Sequence, residues 1–335
     1  MTIPVTLIAG FLGSGKTTLV RRILSESHGL RCAVVVNEFG ALGIDGDLIV
    51  RRAAADSSVV ELSNGCICCE IQEDLRATLT TLVARNRRSR GPGRWLRRSS
   101  GGFDRILIEA SGAASPGPAV QTFLLDADLA ESVRLDGVVT LAHAAHIEDQ
   151  LATTAEAADQ IAYADRIIIN HADRVGTAEL ERVVALVRAS NPLARVRTAE
   201  QAAVPLEWVL DATSEDGEAR RLEAIDSTPA PSHTPGLTSI SLTATAAIDR
   251  AALLIWLEFL AKRRGQELMR AKGILRVQGS AGSLLVQGVY QWLEAADDPA
   301  PAPDVSRLVL IGRDLDREEI LRGWKAIGGG AAPVR

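Results

Sequence analysis

The stretch Gly10-Phe11-Leu12-Gly13-Ser14-Gly15-Lys16-Thr17-Thr18 matches the pattern G-x-x-x-x-G-K-[ST] without a mismatch. Such glycines let backbone N–H groups curl around a phosphate, the lysine can reach the β- and γ-phosphates, and the threonine hydroxyl can ligate Mg²⁺. Ile3–Ile8 predicts a buried strand before the loop, and Thr18–Leu24 predicts the start of a helix after it. A glycine-rich turn that binds nothing would leave Lys16 and both threonines unexplained. The predicted nucleotide-binding residues are Gly10, Gly13, Ser14, Gly15, Lys16, Thr17 and Thr18.

The composition is that of a globular chain. Its 335 residues suffice for one large or two ordinary domains, and 47% of them are hydrophobic. The formal net charge of −5 argues against a polycation that binds nucleic acid. No apolar run is long enough to span a bilayer, and the chain enters its first predicted strand without a signal peptide. We therefore expect a cytoplasmic protein without membrane or nucleic-acid partners; the sequence is also compatible with a homo-oligomer.

Apolar and helical segments alternate along the first two thirds of the chain, which predicts a mostly parallel, doubly wound α/β sheet. Because such strands are covered on both faces, they are nearly continuous in hydrophobicity. Ligands of these sheets bind at the carboxyl ends of the strands. The predicted strands are Val5–Ala9, Ala33–Asn37, Ser58–Leu62, Arg105–Glu109, Gly137–Ala142, Arg166–Asn170 and Arg195–Thr198, with helices including Glu73–Ala84, Thr154–Tyr163 and Ala178–Ala189.

A segment rich in Ser, Thr, Pro, Glu and Asp predicts a linker at residues 213–235. It separates a phosphate-loop domain at 1–212 from a smaller α+β domain at 236–328. The elements predicted in the second domain are strands Leu237–Leu242, Ile274–Gln278, Leu284–Tyr290 and Arg307–Ile311, helices Arg250–Lys262 and Arg317–Lys325, and a loop at Pro299–Asp304.

An arginine-rich stretch precedes the fourth predicted strand. We favour a solvated loop over a surface that docks an acidic partner or nucleic acid, because Trp95 is the only aromatic residue interleaved with the charges. The arginines are Arg85, Arg87, Arg88, Arg90, Arg94, Arg97 and Arg98.

Three of the four cysteines crowd into Gly65-Cys66-Ile67-Cys68-Cys69, between a predicted strand and a predicted helix. Three thiolates at one turn can converge on Zn²⁺, Cu⁺ or a borderline ion such as Co²⁺. Buried structural cysteines are the alternative, which suits the isolated Cys32 better than this cluster. A redox dithiol is a weaker alternative, since the C-x-x-C spacing occurs from Cys66 to Cys69.

The combination of G-F-L-G-S-G-K-T-T with G-C-I-C-C resembles the CobW-type branch of the CobW/HypB/UreG metallochaperone GTPases. Four further segments resemble that family over nearly the whole chain. They are a switch region at Asn37-Glu38-Phe39-Gly40 and Gly43-Ile44-Asp45, a Walker-B-like element at Ile108-Glu109-Ala110-Ser111-Gly112, and C-terminal signatures at Arg270-Ala271-Lys272-Gly273-Ile274 and Ile311-Gly312-Arg313-Asp314-Leu315-Asp316.

The resemblance implies a GTPase that delivers a transition metal to a client metalloprotein. GTP or GDP, Mg²⁺ and Zn²⁺ are the implied ligands, with Co²⁺ as the second choice of metal. Lys16 would neutralise phosphate charge, Thr17 would ligate Mg²⁺, and Glu109 would orient water or the Mg²⁺ shell, with Asp45 as a second candidate. The implied transition-metal ligands are Cys66, Cys68 and Cys69.

The resemblance implies that Asn170-His171-Ala172-Asp173 recognises the base, because the family carries N-K-x-D at this place. The Asp173 carboxylate can accept hydrogen bonds from guanine N1–H and the exocyclic amine, a pair that adenine lacks, and Asn170 would brace the loop. His171 replaces the family's lysine, and its imidazole is either a base-stacking group or a solvated replacement.

Two other positions depart from the family pattern. Ala41 follows N-E-F-G where an acidic residue is usual, and the fifth strand ends in Ala142-His143 instead of Val-Asp. His143 and His146 are either substitute metal ligands or solvated histidines. Other functions stay open at this point: a nucleotide-gated activator of a metal enzyme with slow turnover, a P-loop enzyme that uses ATP and has structural cysteines, or a redox protein.

Overall fold

The computed structural model describes residues 2–36, 58–61, 70–89, 102–211 and 237–329. The chain divides into two compact units. The first comprises residues 1–147, 164–180 and 196–212, and the second comprises residues 148–163, 181–195 and 213–335. The predicted linker at 213–235 lies outside the described residues, as do Arg90, Arg94, Arg97 and Arg98 of the arginine-rich stretch. Arg85, Arg87 and Arg88 lie in the helix Glu70–Ser89, so the loop predicted there is wrong for these three residues. The predicted domain boundaries stay predictions. Among the helices that the structure describes, none is both long and apolar enough to cross a membrane.

A seven-stranded sheet forms the centre of the first unit, in the order β3-β2-β4-β1-β5-β6-β7. The registers of β1 with β4 and β5, of β2 with β3 and β4, and of β5 with β6 are all parallel. This arrangement confirms the predicted α/β fold class. The strands are β1 (Ile3–Gly10), β2 (Cys32–Val36), β3 (Ser58–Glu61), β4 (Arg105–Glu109), β5 (Val133–His143), β6 (Arg166–Asn170) and β7 (Arg195–Thr198).

Helices follow most of these strands, as parallel connections require. The helix after the phosphate-loop sequence begins at Lys16 and buries Leu19, Val20, Ile23 and Leu24 at helical spacing. These side chains pack on strand residues such as Ile8 and Val34 in one hydrophobic core. The helices along residues 16–211 are α1 (Lys16–Ser25), α2 (Glu70–Ser89), α3 (Gly117–Leu125), α4 (Ala127–Ala130), α5 (Ile147–Thr153), α6 (Ala155–Tyr163), α7 (Thr177–Ser190) and α8 (Leu206–Leu210).

The second unit contains a five-stranded sheet in the order β11-β10-β9-β12-β8, with antiparallel neighbours throughout. Two helices contribute to its hydrophobic core, where Trp256 and Trp324 lie with ring centroids 5.8 Å apart. Trp324 Nε1 donates a 3.0 Å hydrogen bond to the Thr243 carbonyl oxygen, which satisfies the buried indole. The elements are β8 (Thr238–Ala244), α9 (Arg250–Arg264), β9 (Leu268–Leu275), β10 (Gly282–Val289), β11 (Trp292–Pro301), β12 (Ser306–Gly312) and α10 (Arg317–Ala326).

Helix α6 belongs to this second unit and contacts β9. Arg313 donates to the Ala155 carbonyl oxygen at 2.8 Å and pairs with the Asp159 carboxylate, while Arg270 donates to the Tyr163 carbonyl oxygen. Both arginines come from the segments that resemble C-terminal family signatures. Each of these two segments therefore contributes one arginine that hydrogen-bonds to α6.

Two expectations for the second unit were wrong. The predicted strand Ile274–Gln278 overlaps the longer β9 only at Ile274 and Leu275, where β9 ends, and the predicted loop at Pro299–Asp304 begins inside β11. Strand β11 lies at a sheet edge, and its pairing with β10 shifts register between Gly282 and Ser283, opposite the segment that contains Pro299. An edge strand with a bulge accepts a proline that a central strand would exclude. Because β11 is rich in acidic residues and proline, its sequence did not indicate a strand.

Candidate functional site

The phosphate-loop sequence connects β1 to α1 at the carboxyl edge of the parallel sheet. Gly10 and Gly15 have φ angles of 140° and 104°, which residues with a Cβ rarely adopt. A Cβ on Gly10 would lie 2.3 Å from the Leu141 carbonyl oxygen, and one on Gly15 would lie 2.3 Å from Asn170 Nδ2. Both positions require glycine, and the resulting turn fits the backbone cradle expected for a phosphate.

Lys16 is the first residue of α1 and is buried. Its Nζ donates hydrogen bonds to the carbonyl oxygens of Gly10 at 2.8 Å and Phe11 at 3.3 Å. The side chain therefore folds back across the loop, and its ammonium lies against the loop's own backbone. This geometry places a positive charge at the helix N-terminus, where the macrodipole also favours an anion.

Thr17 and Glu109 meet although they are far apart in the sequence. Thr17 Oγ1 donates a 2.7 Å hydrogen bond to Glu109 Oε1. Glu109 ends β4 and is buried, and its register partner in β1 is Ile8, two residues before the phosphate loop. The predicted Mg²⁺ ligand and the predicted water-orienting carboxylate are thus in contact.

The segment after Glu109 also lies against the loop. A Cβ on Gly112 would come within 2.7 Å of Leu12 Cδ2 and 2.9 Å of the Leu12 backbone nitrogen. The close approach explains the glycine of the E-A-S-G segment. The Walker-B-like sequence and the phosphate-loop sequence therefore pack against each other at the carboxyl ends of the strands.

Asn170 ties the end of β6 to the phosphate loop. Its Nδ2 donates to the Ser14 carbonyl oxygen at 2.9 Å, and its Oδ1 accepts from the Ala202 N–H at 2.8 Å. His171 follows with a φ of 58°, and Ala172–Arg174 form one turn of 3₁₀ helix. The Asp173 side chain is 45% exposed and lies 3.4 Å from Arg174 Nε. Asn170 thus braces the loop, and the Asp173 carboxylate is accessible beside it.

Three imidazoles lie close together beside this segment, and two of them, His143 and His171, are stacked. The His143 ring centroid lies 4.3 Å from that of His171, at an interplanar angle of 22°, and 4.3 Å from that of His146, at 33°. Burial and the neighbouring His171, His146 and Arg174 lower the pKa of His143 to about 4. The described residues contain no group of three His, Cys, Asp or Glu that could hold a metal. The structure therefore gives no support to His143 and His146 as substitute metal ligands.

Two predicted site segments lie outside the described residues. One is the switch-like segment with Ala41 and Asp45, and the other is the cysteine motif with Cys66, Cys68 and Cys69. The strands that precede them end at Val36 and Glu61, which are register partners, and Val36 also pairs with Glu109. Both strand ends therefore lie at the same sheet edge as the phosphate loop.

Cys32 is buried in β2, and burial raises the pKa of its thiol to about 11. An inert structural thiol fits that environment.

Comparison with known proteins covers both units. The nucleotide-binding domain model of CobW/HypB/UreG matches residues 4–198, and the C-terminal domain model of the cobalamin synthesis protein cobW matches residues 237–327. The zinc chaperone YjiA of Escherichia coli is 36% identical over 327 residues, which cover 95% of this chain and 96% of YjiA. The zinc chaperone CobW of Pseudomonas aeruginosa is 32% identical over 355 residues, with coverages of 95% and 89%.

Two further similarities carry functional names. The crystal structure of Zn(II)-bound YjiA GTPase from E. coli superimposes with a TM-score of 0.76 at 28% identity, covering 98% of this chain and 99% of that one. The zinc-regulated GTPase metalloprotein activator 1 of Dictyostelium discoideum is 31% identical over 243 residues, which are 62% of this chain and 48% of that protein.

Proposed function

This chain belongs to the CobW/HypB/UreG family, and from that premise we propose that it is a GTPase that binds zinc and transfers it to a client protein. The observation that carries the proposal is the contact between Thr17 and Glu109 beside the ammonium of Lys16. These three residues come from two different segments, and each has the chemistry that phosphoryl transfer to water requires at its position. Relatives that are called GTPases support the same reaction.

Each residue of the contact has one role in hydrolysis. The Lys16 ammonium neutralises charge on the β- and γ-phosphates, and the backbone N–H groups of Gly13 to Lys16 hold their oxygens. Thr17 would hold Mg²⁺ through its hydroxyl, and the ion would supply positive charge that stabilises the phosphate oxygens. The buried Glu109 carboxylate orients a water molecule or the Mg²⁺ shell, and Asp45 is the second candidate for that role.

Guanine selectivity is assigned to Asp173, with Asn170 as its brace. The exposed Asp173 carboxylate accepts two hydrogen bonds from the N1 and C2 edge of guanine, and adenine offers no matching pair of donors. The hydrogen bonds from Asn170 to Ser14 and from Ala202 to Asn170 fix the segment relative to the phosphate loop. We therefore propose GTP, and not ATP, as the substrate.

The transported metal is assigned to Cys66, Cys68 and Cys69. Zinc is the first choice because thiolates suit it and because YjiA and CobW are named zinc chaperones. Cobalt is the second choice, since it accepts the same ligands. Free thiols of this kind persist in a reducing compartment, so cytoplasmic action belongs to the proposal. We propose that loss of the γ-phosphate changes residues 37–45, and that this change links hydrolysis to release of the metal to the client.

The test uses the full-length chain purified under reducing conditions. Unlabelled GTP and ATP compete against labelled GTP for binding, and phosphate release is measured with zinc present and absent. We expect GTP to compete at least about tenfold better than ATP, because a mismatched buried polar pair costs 1–3 kcal/mol. We also expect turnover to respond to zinc. Equal competition by ATP would reject the GTPase assignment, and absent turnover with intact binding would leave a nucleotide-gated binding protein instead.

A further inference from the structure

The proposed hydrolysis does not use the column of rings formed by His146, His143 and His171. The His143 ring stacks on His171 and lies tilted against His146, with a centroid separation of 4.3 Å in each case. His143 ends β5, whereas His171 follows the end of β6, and both are partly buried. Two strands thus contribute rings to one column, and a third ring comes from the segment before α5.

This column adjoins the end of β6, where the proposed base-reading segment begins. His143 is the register partner of Asn170, and the Ala144 N–H donates to the Asn170 carbonyl oxygen at 2.9 Å. Two residues before His143, Leu141 pairs with Gly10 of the phosphate loop. The column therefore adjoins the segment proposed to read the base, and that segment is bonded to the phosphate loop through Asn170.

The backbone at His171 requires support from its surroundings. Its φ of 58° is left-handed, a conformation that costs a non-glycine residue free energy unless contacts compensate. Stacking on His143 is the contact that the ring makes with another aromatic group. If the stack opens, His171 loses this support, and the 3₁₀ turn that follows it, with Asp173, loses its defined position, whereas Asn170 stays held by its hydrogen bonds with Ser14 and Ala202. His143 and His171 are thus positioning residues.

Protonation opposes the stack. The groups that face His143 are His146 from the segment before α5, and His171, Asp173 and Arg174 from the segment after β6; only Asp173 favours a charge on His143. The pKa of His143 is about 4 in the stack and 6.5 for an ordinary histidine, so an opened arrangement takes up a proton that the stack excludes. As pH falls from about 6.5 toward 4, the stacked arrangement loses free energy relative to the opened one.

We propose that the His143–His171 stack makes guanine-nucleotide affinity depend on protonation, with the stacked rings supporting tight binding and mild acid weakening it. The inference rests on the proposed function, because it assumes that Asn170 and Asp173 bind the nucleotide. Each pH unit below the ordinary histidine pKa shifts the equilibrium between stacked and opened rings by up to about tenfold. The affected ligand class is the purine nucleoside di- and triphosphate.

The experiment measures the affinity of the full-length chain for a fluorescent N-methylanthraniloyl derivative of GDP between about pH 8 and pH 5, the range in which histidine changes charge. Three variants accompany the parent. His143→Phe keeps an aromatic ring without a titrating group, and His143→Gln is a second non-titrating variant in case phenylalanine overpacks. His171→Asn removes the stacking ring but keeps a side chain that tolerates positive φ. His28→Asn serves as a matched control in the same unit, where His28 Nε2 lies 2.7 Å from the Ile23 carbonyl oxygen.

Titration of the nucleotide phosphates is common to all five proteins, so the comparison between them isolates the histidines. We expect the parent and His28→Asn to lose about tenfold more affinity toward pH 5 than His143→Phe, and His171→Asn to bind more weakly with a flattened pH profile. A parent profile that coincides with those of both His143 variants would overturn the inference while leaving the proposed function intact. Failure of the parent to bind guanine nucleotide at any pH would overturn both.

Discussion

The hydroxyl of Thr17 and the carboxylate of Glu109 are joined by a 2.7 Å hydrogen bond across a sequence separation of 92 residues. Their contact exists because β1 and β4 are parallel neighbours whose carboxyl ends lie side by side. It brings a hydroxyl suited to Mg²⁺ within reach of a buried carboxylate. The first prediction concerns this pair.

Thr17→Ala should reduce GTP turnover at least about a hundredfold, because losing one hydroxyl ligand removes several kcal/mol of charge stabilisation from the reacting phosphate. Thr17→Ser is the matched control, since it keeps the hydroxyl, and it should keep turnover within about fivefold of the parent. Both are measured as phosphate release at saturating GTP and Mg²⁺. Equal rates in the two variants would show that the Thr17 hydroxyl has no role in the reaction.

Lys16→Ala should abolish hydrolysis and leave the fold intact. The Lys16 ammonium donates hydrogen bonds to the loop carbonyl oxygens of Gly10 and Phe11, and the apolar side of α1 is formed by other residues. Lys262→Ala is the control, because Lys262 is exposed and pairs with Glu258 one helical turn away. Near-parental turnover of Lys16→Ala, with an unchanged melting temperature, would contradict the assignment of the phosphate loop.

Asp173→Asn should move preference from GTP toward XTP. Xanthine replaces the exocyclic amine of guanine with a carbonyl, and the asparagine amide offers the donor that this carbonyl needs. Each mismatched pair costs about 1–3 kcal/mol, so the ratio of affinities should shift tenfold or more. Competition of unlabelled GTP, XTP and ATP against labelled nucleotide measures it. If the GTP to XTP ratio is the same before and after the substitution, Asp173 does not read the base.

A stability prediction concerns the buried pair of Arg105 and Asp136 in the first unit. Arg105 Nη1 donates to the Asp136 carboxylate and to Thr6 Oγ1 at 2.9 Å, and Asp136 is only 1% exposed. Asp136→Ala should lower the free energy of unfolding by about 3–5 kcal/mol, because it leaves a buried guanidinium without its counter-ion. Denaturant titration measures the loss. A much smaller change would mean that solvent reaches Arg105 once the carboxylate is removed.

Much of the first unit could be predicted from hydrophobic periodicity and motif spacing. Strands β4, β6 and β7 begin and end at the predicted residues. Strand β5 is longer than predicted, Val133–His143, because Arg134 and Asp136 interrupt the apolar run. The buried Asp136 carboxylate pairs with Arg105 of another strand as well as with Arg134 of its own, and a single segment carries no sign of the cross-strand partner.

The candidate site was predictable where one segment supplies the chemistry. The phosphate loop and Glu109 lie at the expected strand ends, since parallel strands gather their carboxyl ends at one edge. The imidazole stack was not predicted, because it depends on the register that sets His143 opposite Asn170. The sequence signal was present only as two departures from the family pattern, at His143 and His171.

The number of zinc ions bound per chain shows whether Cys66, Cys68 and Cys69 hold the metal. The protein is purified under reducing conditions, equilibrated with zinc and GTP, freed of unbound metal and analysed for zinc per chain. Zinc binding by the three clustered thiols predicts about one tightly bound zinc in the parent and in Cys32→Ser, and none in a variant with Cys66, Cys68 and Cys69 all changed to serine, because a serine hydroxyl stays protonated and ligates soft metals poorly. Full zinc occupancy in the triple variant would contradict it.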